Sequence, residues 1–225
     1  MRGRVGSTGD PLTLGTRALK RGSTLVPLVL CWRDMMEYIR IMEDLPSIPE
    51  HMVAEALRLA EDNSGFQSFT VATDSDWGKD KLTASAKKGG KRQPKIELEG
   101  EIRDWVRANI ADGFHEVSIR KTIEEGDHNH PHTDRTRNWV LIYLLEAGGD
   151  DHRTVFYESA DQVYTPGQLW PDYEGLTEVA SAKLPLNKWA FLSSHHPHSV
   201  ENIPGCRIAI QVGFWDDPFQ DKMPG

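Results

Sequence analysis

His132-Thr133-Asp134, followed far downstream by His198 with Arg207 nine positions beyond it, carries the residue types of a mononuclear metal site. Two histidines and one carboxylate are the set that binds non-haem iron on one face and leaves three positions open for chemistry. On a strand, residues i and i+2 point to the same side, so His132 and Asp134 aim at one point while Thr133 faces away. The third ligand must come from a separate strand passing close by. His198 opens such a segment, His198-Ser199-Val200-Glu201.

Other histidines compete for these places. His128, His130 and His132 recur at period two, so a regular strand would turn all three toward the metal. Pro131 and the turn-like Gly126-Asp127 argue against that regularity, and only His132 has an aspartate two residues on. Downstream, His195, His196 and His198 are all candidates for the third ligand.

The surroundings are ordered. After Asp134 comes the apolar run Asn138-Trp139-Val140-Leu141-Ile142-Tyr143-Leu144-Leu145, then a turn signal, Glu146-Ala147-Gly148-Gly149-Asp150, then Arg153-Thr154-Val155-Phe156-Tyr157. Taken with His198 and Arg207, this order resembles the 2-oxoglutarate/Fe(II) dioxygenases, in particular their prolyl-hydroxylase-like branch, over roughly residues 115 to 216.

The resemblance implies Fe(II), 2-oxoglutarate as cosubstrate and molecular oxygen, with ascorbate as a reductant. It makes His132, Asp134 and His198 the iron ligands; His198 is preferred to its neighbours for its interval to Arg207 and the valine that follows. His195 and His196 become strand-end or substrate-side residues. Arg207 matches the basic residue that receives the distal carboxylate of 2-oxoglutarate, a contact that suits a planar guanidinium. Tyr143 matches a tyrosine that hydrogen-bonds the same carboxylate, although a core tyrosine with a satisfied hydroxyl explains it nearly as well. Trp139 and Leu141 share its strand face and are expected to line the same cavity, whereas Asn138 lies on the other parity. Ile208, Ile210 and Val212 alternate with Arg207, Ala209 and Gln211, and which row points inward is open.

The chemistry so implied is oxidative decarboxylation to succinate and carbon dioxide coupled to hydroxylation of a C–H bond; desaturation or demethylation would use the same core. The substrate class is a peptide or protein side chain, or an amino-acid-like small molecule. Two alternatives stand beside this reading: another cupin-type mononuclear metal enzyme, and a catalytically silent jelly-roll binding module. Arg207 separates the first reading from other cupins, and an intact triad speaks against the silent module.

These residues need a rigid frame. The expected fold is mainly β with flanking helices, a double-stranded β-helix of the jelly-roll, cupin-like kind, with N-terminal helices buttressing the major sheet. Strands are expected over Glu116 to Glu124, Asn138 to Leu145, Arg153 to Tyr157, Val179 to Leu184, Trp189 to Ser193, His198 to Asn202 and Arg207 to Trp215, with a further one at Gly65 to Val71. Ser47-Ile48-Pro49-Glu50 has the form of a capping box and opens a helix to about Asp62; a second helix spans about Glu97 to Ala111, with Gly113 as its stop. The segment Glu158 to Glu178, with Tyr164, Pro166, Trp170, Pro171 and Tyr173, is read either as a substrate lid or as a packed surface loop.

At 225 residues the chain suits one well-buried domain, placed at residues 34 to 225, with the catalytic core at about 115 to 216. A net charge of −8 argues against general affinity for nucleic acid, and the basic stretch Lys87-Lys88-Gly89-Gly90-Lys91-Arg92 reads as a solvated loop. No apolar run approaches membrane-spanning length. Two distant cysteines, Cys31 and Cys206, make no disulfide framework, which suits a reducing, cytoplasmic setting. Residues 1 to 33 are set apart as a disordered or misassigned N-terminal extension, and a transit peptide also fits their Arg-, Ser- and Thr-rich profile.

Overall fold

The computed structural model describes residues 37–61, 95–122, 130–170 and 172–220. The N-terminal extension with Cys31, the strand expected at 65–71, the basic stretch at 87–92 and His128 lie outside these residues. In chain order the elements are β1 (Ile39–Met42), α1 (Glu50–Glu61), β2 (Lys95–Glu97), α2 (Glu101–Asn109), β3 (Glu116–Thr122), β4 (Trp139–Ala147), β5 (Arg153–Ser159), β6 (Leu176–Ala182), β7 (Trp189–Ser193), β8 (His198–Glu201) and β9 (Arg207–Phe214). They form a six-stranded sheet in the order β1-β7-β4-β9-β3-β2 and a three-stranded sheet in the order β6-β5-β8, with every pairing antiparallel. This is the double-stranded β-helix expected from the sequence.

Two apolar layers hold it, one on each face of the larger sheet. On the outer face Leu141, Tyr143, Leu145, Trp189, Phe191, Ile208, Ile210, Val212 and Phe214 meet the buried stripes of α1 (Met52, Ala56, Ala60) and α2 (Ile102, Val106). On the inner face Val140, Ile142, Leu144, Ala190, Leu192 and Ala209 meet Phe156, Ala180 and Ala182 of the smaller sheet. A strand apolar on both faces, such as β4, is what a sheet sandwiched between helices and a second sheet requires. The larger side chains go mostly to the helix side.

The structure refines several element boundaries. The expected helix from Glu97 divides: Lys95, Ile96 and Glu97 pair with Arg120, Ile119 and Ser118 as β2, and α2 begins after Gly100, whose φ of 66° breaks the strand. Such a φ suits a residue without a Cβ. β1 has no counterpart among the expected elements; it lies at the sheet edge against β7, and its buried Arg40 is held by Asp217 near the C-terminus. Among the described residues no helix is long and apolar enough to cross a membrane.

The turn between β4 and β5 carries the Gly148-Gly149 pair, and its shape has a physical reason. Gly148 takes φ 79°, and a Cβ there would stand 3.0 Å from the Gly205 carbonyl oxygen and 3.1 Å from the Arg207 Cβ; a Cβ at Gly149 would meet Pro204 Cδ at 2.6 Å. The turn is therefore seated on the β8–β9 turn, where the Gly205 N–H donates to the Gly148 carbonyl at 2.7 Å.

Candidate metal centre and inner cavity

His198 opens β8, directly across from Phe156 of β5, and its ring stacks on that phenylalanine with centroids 5.6 Å apart. Residues 131–134 run alongside as one more strand-like segment. The backbones of His132 and His198 exchange two hydrogen bonds, of 3.0 and 2.9 Å, and the Asp134 N–H donates to the Ser194 carbonyl at 2.9 Å. Thr133 turns away, as the i, i+2 spacing predicts: its hydroxyl donates to the Thr165 carbonyl at 2.7 Å and accepts from the Gln168 N–H at 3.0 Å. The long 158–178 segment is thereby docked beside the pair.

The structure brings His132, Asp134 and His198 together, with ligand atoms all within 4.8 Å of one another, so that they could hold a metal ion. His132 Nε2 lies 3.8 Å from Asp134 Oδ1. In each histidine Nδ1 lies 2.9 Å from the carbonyl oxygen two residues back, His130 for His132 and His196 for His198. A carbonyl only accepts, so each Nδ1 carries the proton and each Nε2 presents a lone pair, the arrangement that orients ligating histidines. Burial lowers His198 to about 4, which keeps it neutral and available to a metal at neutral pH. Asp134 is opposed by burial, but Arg137 and the two histidines hold its carboxyl below the ordinary carboxylate range. Arg137 Nε donates to Oδ2 at 2.5 Å, so Oδ1 faces the histidines.

Arg207 lies on the inner face, in the row of Ala209, which belongs to the layer between the sheets. This settles which row of β9 points inward. The guanidinium is buried, burial alone lowers it to about 10, and its Nη1 has no hydrogen-bond partner among the described residues. Thr154, also inward on β5 in the row of Phe156, has a buried hydroxyl without a partner among the described residues. A buried cation with no anion beside it among the described residues is costly, so this inward position suits an anion.

The expectation for Trp139, Leu141 and Tyr143 is overturned. They share a strand face, but it is the outer one: Leu141 and Tyr143 sit in the helix-side layer, Trp139 packs against it, and Tyr143 leans on Trp189 with ring centroids 4.9 Å apart. The inward parity of β4 is that of Asn138, Val140, Ile142 and Leu144. Asn138, given little weight from sequence, lines a cavity of about 370 Å³ together with Asp134, Gln162, Tyr164, Pro166, His195 and His196. His195 and His196 thus stand beside Asp134 in the wall of this cavity, and three lining residues come from the 158–178 segment.

Sequence reading missed a charged cluster on the inner faces of β2 and β3. Lys95 Nζ donates to Glu116 Oε2 at 2.9 Å, Ser118 Oγ to Glu116 Oε1 at 2.6 Å and Arg120 Nη2 to the same oxygen at 3.3 Å. Burial raises the Glu116 carboxyl, but Ser118, Arg120 and Lys95 outweigh it and bring it down to about 2. A carboxyl depressed on folding stabilises the fold fully above its unfolded value, here near 4.5, and loses that contribution as the pH falls toward 2. Glu116→Gln is expected to flatten this part of the pH–stability profile and to cost about 3 kcal/mol at neutral pH, by removing the anion between the buried Lys95 and the partly buried Arg120. Urea midpoints at pH 7 and pH 3 check both parts; a variant with the wild-type acid slope would mean that Glu116 does not carry it.

No family model and no curated protein matches the chain. Among solved structures it is similar to a prolyl hydroxylase from Trichoplax adhaerens in complex with a hypoxia inducible factor oxygen degradation domain peptide fragment, at 10% identity over 84% of this chain and 88% of that one, with a TM-score of 0.49. It is similar to a Pseudomonas putida prolyl-4-hydroxylase at 13% identity over 82% of this chain and 96% of that one, TM-score 0.46. It is also similar to SnoK, a non-heme alpha ketoglutarate dependent carbocyclase from nogalamycin biosynthesis, at 11% identity over 80% of each chain, TM-score 0.48. Likenesses of this degree assign no residue its role. What the fold and the site define here is a double-stranded β-helix with a His132, Asp134 and His198 cluster that could hold a metal ion, its aspartate also lining the neighbouring cavity.

Proposed function

We propose that the protein is an Fe(II)- and 2-oxoglutarate-dependent dioxygenase that hydroxylates an unactivated C–H bond of a peptide or protein side chain, or of an amino-acid-like small molecule. The observation that carries this reading is the buried Arg207, whose Nη1 has no partner among the described residues, on the same inner face of the fold as the His132, Asp134 and His198 cluster. A metal triad alone suits many cupins. A triad with a desolvated cation deeper in the barrel suits a ligand with a metal-binding head and an anionic tail, which 2-oxoglutarate is.

In this reading His132 Nε2, Asp134 Oδ1 and His198 Nε2 hold the iron, and Arg207 with the Thr154 hydroxyl receives the distal carboxylate of 2-oxoglutarate. When bound, iron and cosubstrate supply the oxidising power: 2-oxoglutarate leaves as succinate and carbon dioxide, one atom of O2 goes into succinate and the other into the substrate. The protein's own part is placement. Backbone carbonyls of His130 and His196 fix the two imidazoles, Arg137 fixes the carboxylate, and the aliphatic inner layer around Leu144 and Ala209 excludes water. The cavity beside Asp134 supplies neutral hydrogen-bonding groups, Asn138, Gln162, Tyr164 and His196, the last lowered to about 4 by burial and by His195. At about 370 Å³ it admits one side chain or a small metabolite.

The test is succinate production from 2-oxoglutarate with Fe(II) and ascorbate, with and without candidate peptides and free amino acids. Turnover that depends on Fe(II) is expected even without substrate, at a reduced, uncoupled rate. A protein that binds Fe(II) yet forms no succinate under any of these conditions is some other metal protein.

A further inference from the structure

Arg120 and Gln211 have no part in the scheme above, yet both lie on the inward-facing rows of their strands. On β3 the outer row is Val117 and Ile119, buried in the helix-side layer, and Lys121, whose Nζ reaches the Ala60 carbonyl at the end of α1; this leaves Glu116, Ser118 and Arg120 pointing inward. On β9 the inner row is Arg207, Ala209 and Gln211. The register sets Arg120 beside Ala209 and Ser118 beside Gln211, so Arg120 is a diagonal neighbour of both Arg207 and Gln211 across the smallest side chain in the row.

The two arginines nevertheless serve different ends of the cavity. Arg120 donates from Nη2 to Glu116, and Glu116 pairs across β9 with Gly213, which stands against Arg137, the residue that holds Asp134; its guanidinium is thereby drawn toward the metal end. Arg207 lies at the far end, where its Cβ adjoins the Gly148 turn and its backbone is paired with Ala147 and Thr122. The Nε of Arg120 and Oε1 of Gln211 are both buried and without a partner among the described residues. Gln211 is interchangeable between acceptor and donor by a turn of its amide. The narrow strip above Ala209 thus has a cation at each end and an unsatisfied amide near the metal.

We propose that Arg120, through its Nε–H, and Gln211, through its amide, hold the carboxylate that adjoins the keto group of 2-oxoglutarate, while Arg207 holds the distal one. This rests on the dioxygenase reading and adds a second basic anchor. Arg120 is then the residue that makes the site demand a 2-oxo acid, where Arg207 makes it demand a dicarboxylate.

The two anchors are separated by comparing 2-oxoglutarate with 2-oxobutyrate, which keeps the keto-acid head and lacks the distal carboxylate. Equilibrium binding is followed without oxygen by the quenching of tryptophan fluorescence on the Fe(II)-loaded protein, with Mn(II) binding as a measure of the intact metal site. Arg120→Gln is expected to raise the Kd of both ligands about 10- to 100-fold, the effect of losing one charge-assisted hydrogen bond. Arg207→Met should raise the Kd of 2-oxoglutarate only. An Arg120→Gln protein that binds 2-oxobutyrate as well as the wild type overturns the assignment. Because Arg120 also braces Glu116, Gln211→Met repeats the test without disturbing that contact: weaker binding of both ligands supports the proposal, and unchanged binding of 2-oxobutyrate overturns it. Wild-type protein that loads Fe(II) but binds neither ligand would instead sink the 2-oxoglutarate reading itself.

Discussion

Asp134→Ala is expected to lose 2-oxoglutarate turnover entirely and to weaken Fe(II) or Mn(II) binding by more than about 100-fold, since changes in mere supporting residues around metal ligands already cost 10- to 100-fold. The carboxylate has two tasks at once. Oδ1 lies with the histidine nitrogens, and Oδ2 neutralises Arg137, whose side chain is only 9% exposed. Truncation therefore strands a buried guanidinium as well as removing a ligand, and the metal-free protein should melt lower. Asp134→Asn separates the two effects: the shape and one oxygen remain, the charge does not, and metal affinity should fall while the packing of Arg137 is better preserved. Metal titration together with thermal melts of both variants provides the check. Normal iron content and turnover in Asp134→Ala would mean that another set of residues binds the metal.

The second large effect concerns Arg207→Met, which should act with opposite signs on cosubstrate and on fold. Removing one member of a buried, hydrogen-bonded charge pair costs about 2–5 kcal/mol, so the requirement for 2-oxoglutarate should rise at least about 30-fold. In the ligand-free protein the same guanidinium is buried with Nη1 unpartnered, and an apolar side chain of similar length should raise the melting temperature. Metal binding should be unchanged. A variant that loses iron along with cosubstrate would show that Arg207 supports the triad rather than the 2-oxo acid.

Much of this was legible in the residues because strand periodicity is a strong constraint. His132 and Asp134 two apart, with Thr133 turned outward, and a distal His198 on its own strand are geometric statements, and the structure brings the three together. The same periodicity grouped Trp139, Leu141 and Tyr143 correctly but could not say which way the group faces. A strand apolar on both sides gives no internal sign of inside and outside. The sign lay elsewhere, in the apolar stripes of α1 and α2, which need a broad apolar sheet face to bury, and in β9, where bulky Ile208, Ile210 and Val212 alternate with Arg207, Ala209 and Gln211. Read together, these put bulk toward the helices and polarity inward. β1 and β2 escaped notice because strands of four and three residues barely establish a period. Their existence depends on partners contributed by β7 and β3.

The glycine turn has a consequence for how the cavity is measured out. The histidines belong to the smaller sheet and its strand-like extension, whereas Arg207 belongs to the larger one, so no single strand sets the distance between them. That distance is gauged where the turn at Gly148 and Gly149 rests backbone-to-backbone on the turn at Pro204 and Gly205, with Arg207 Cβ 3.1 Å from where a side chain at 148 would begin. The two glycines act as a spacer of minimum thickness. Any bulk added there would have to displace the Gly205 carbonyl or the Arg207 Cβ, and so would move the inward guanidinium relative to the triad.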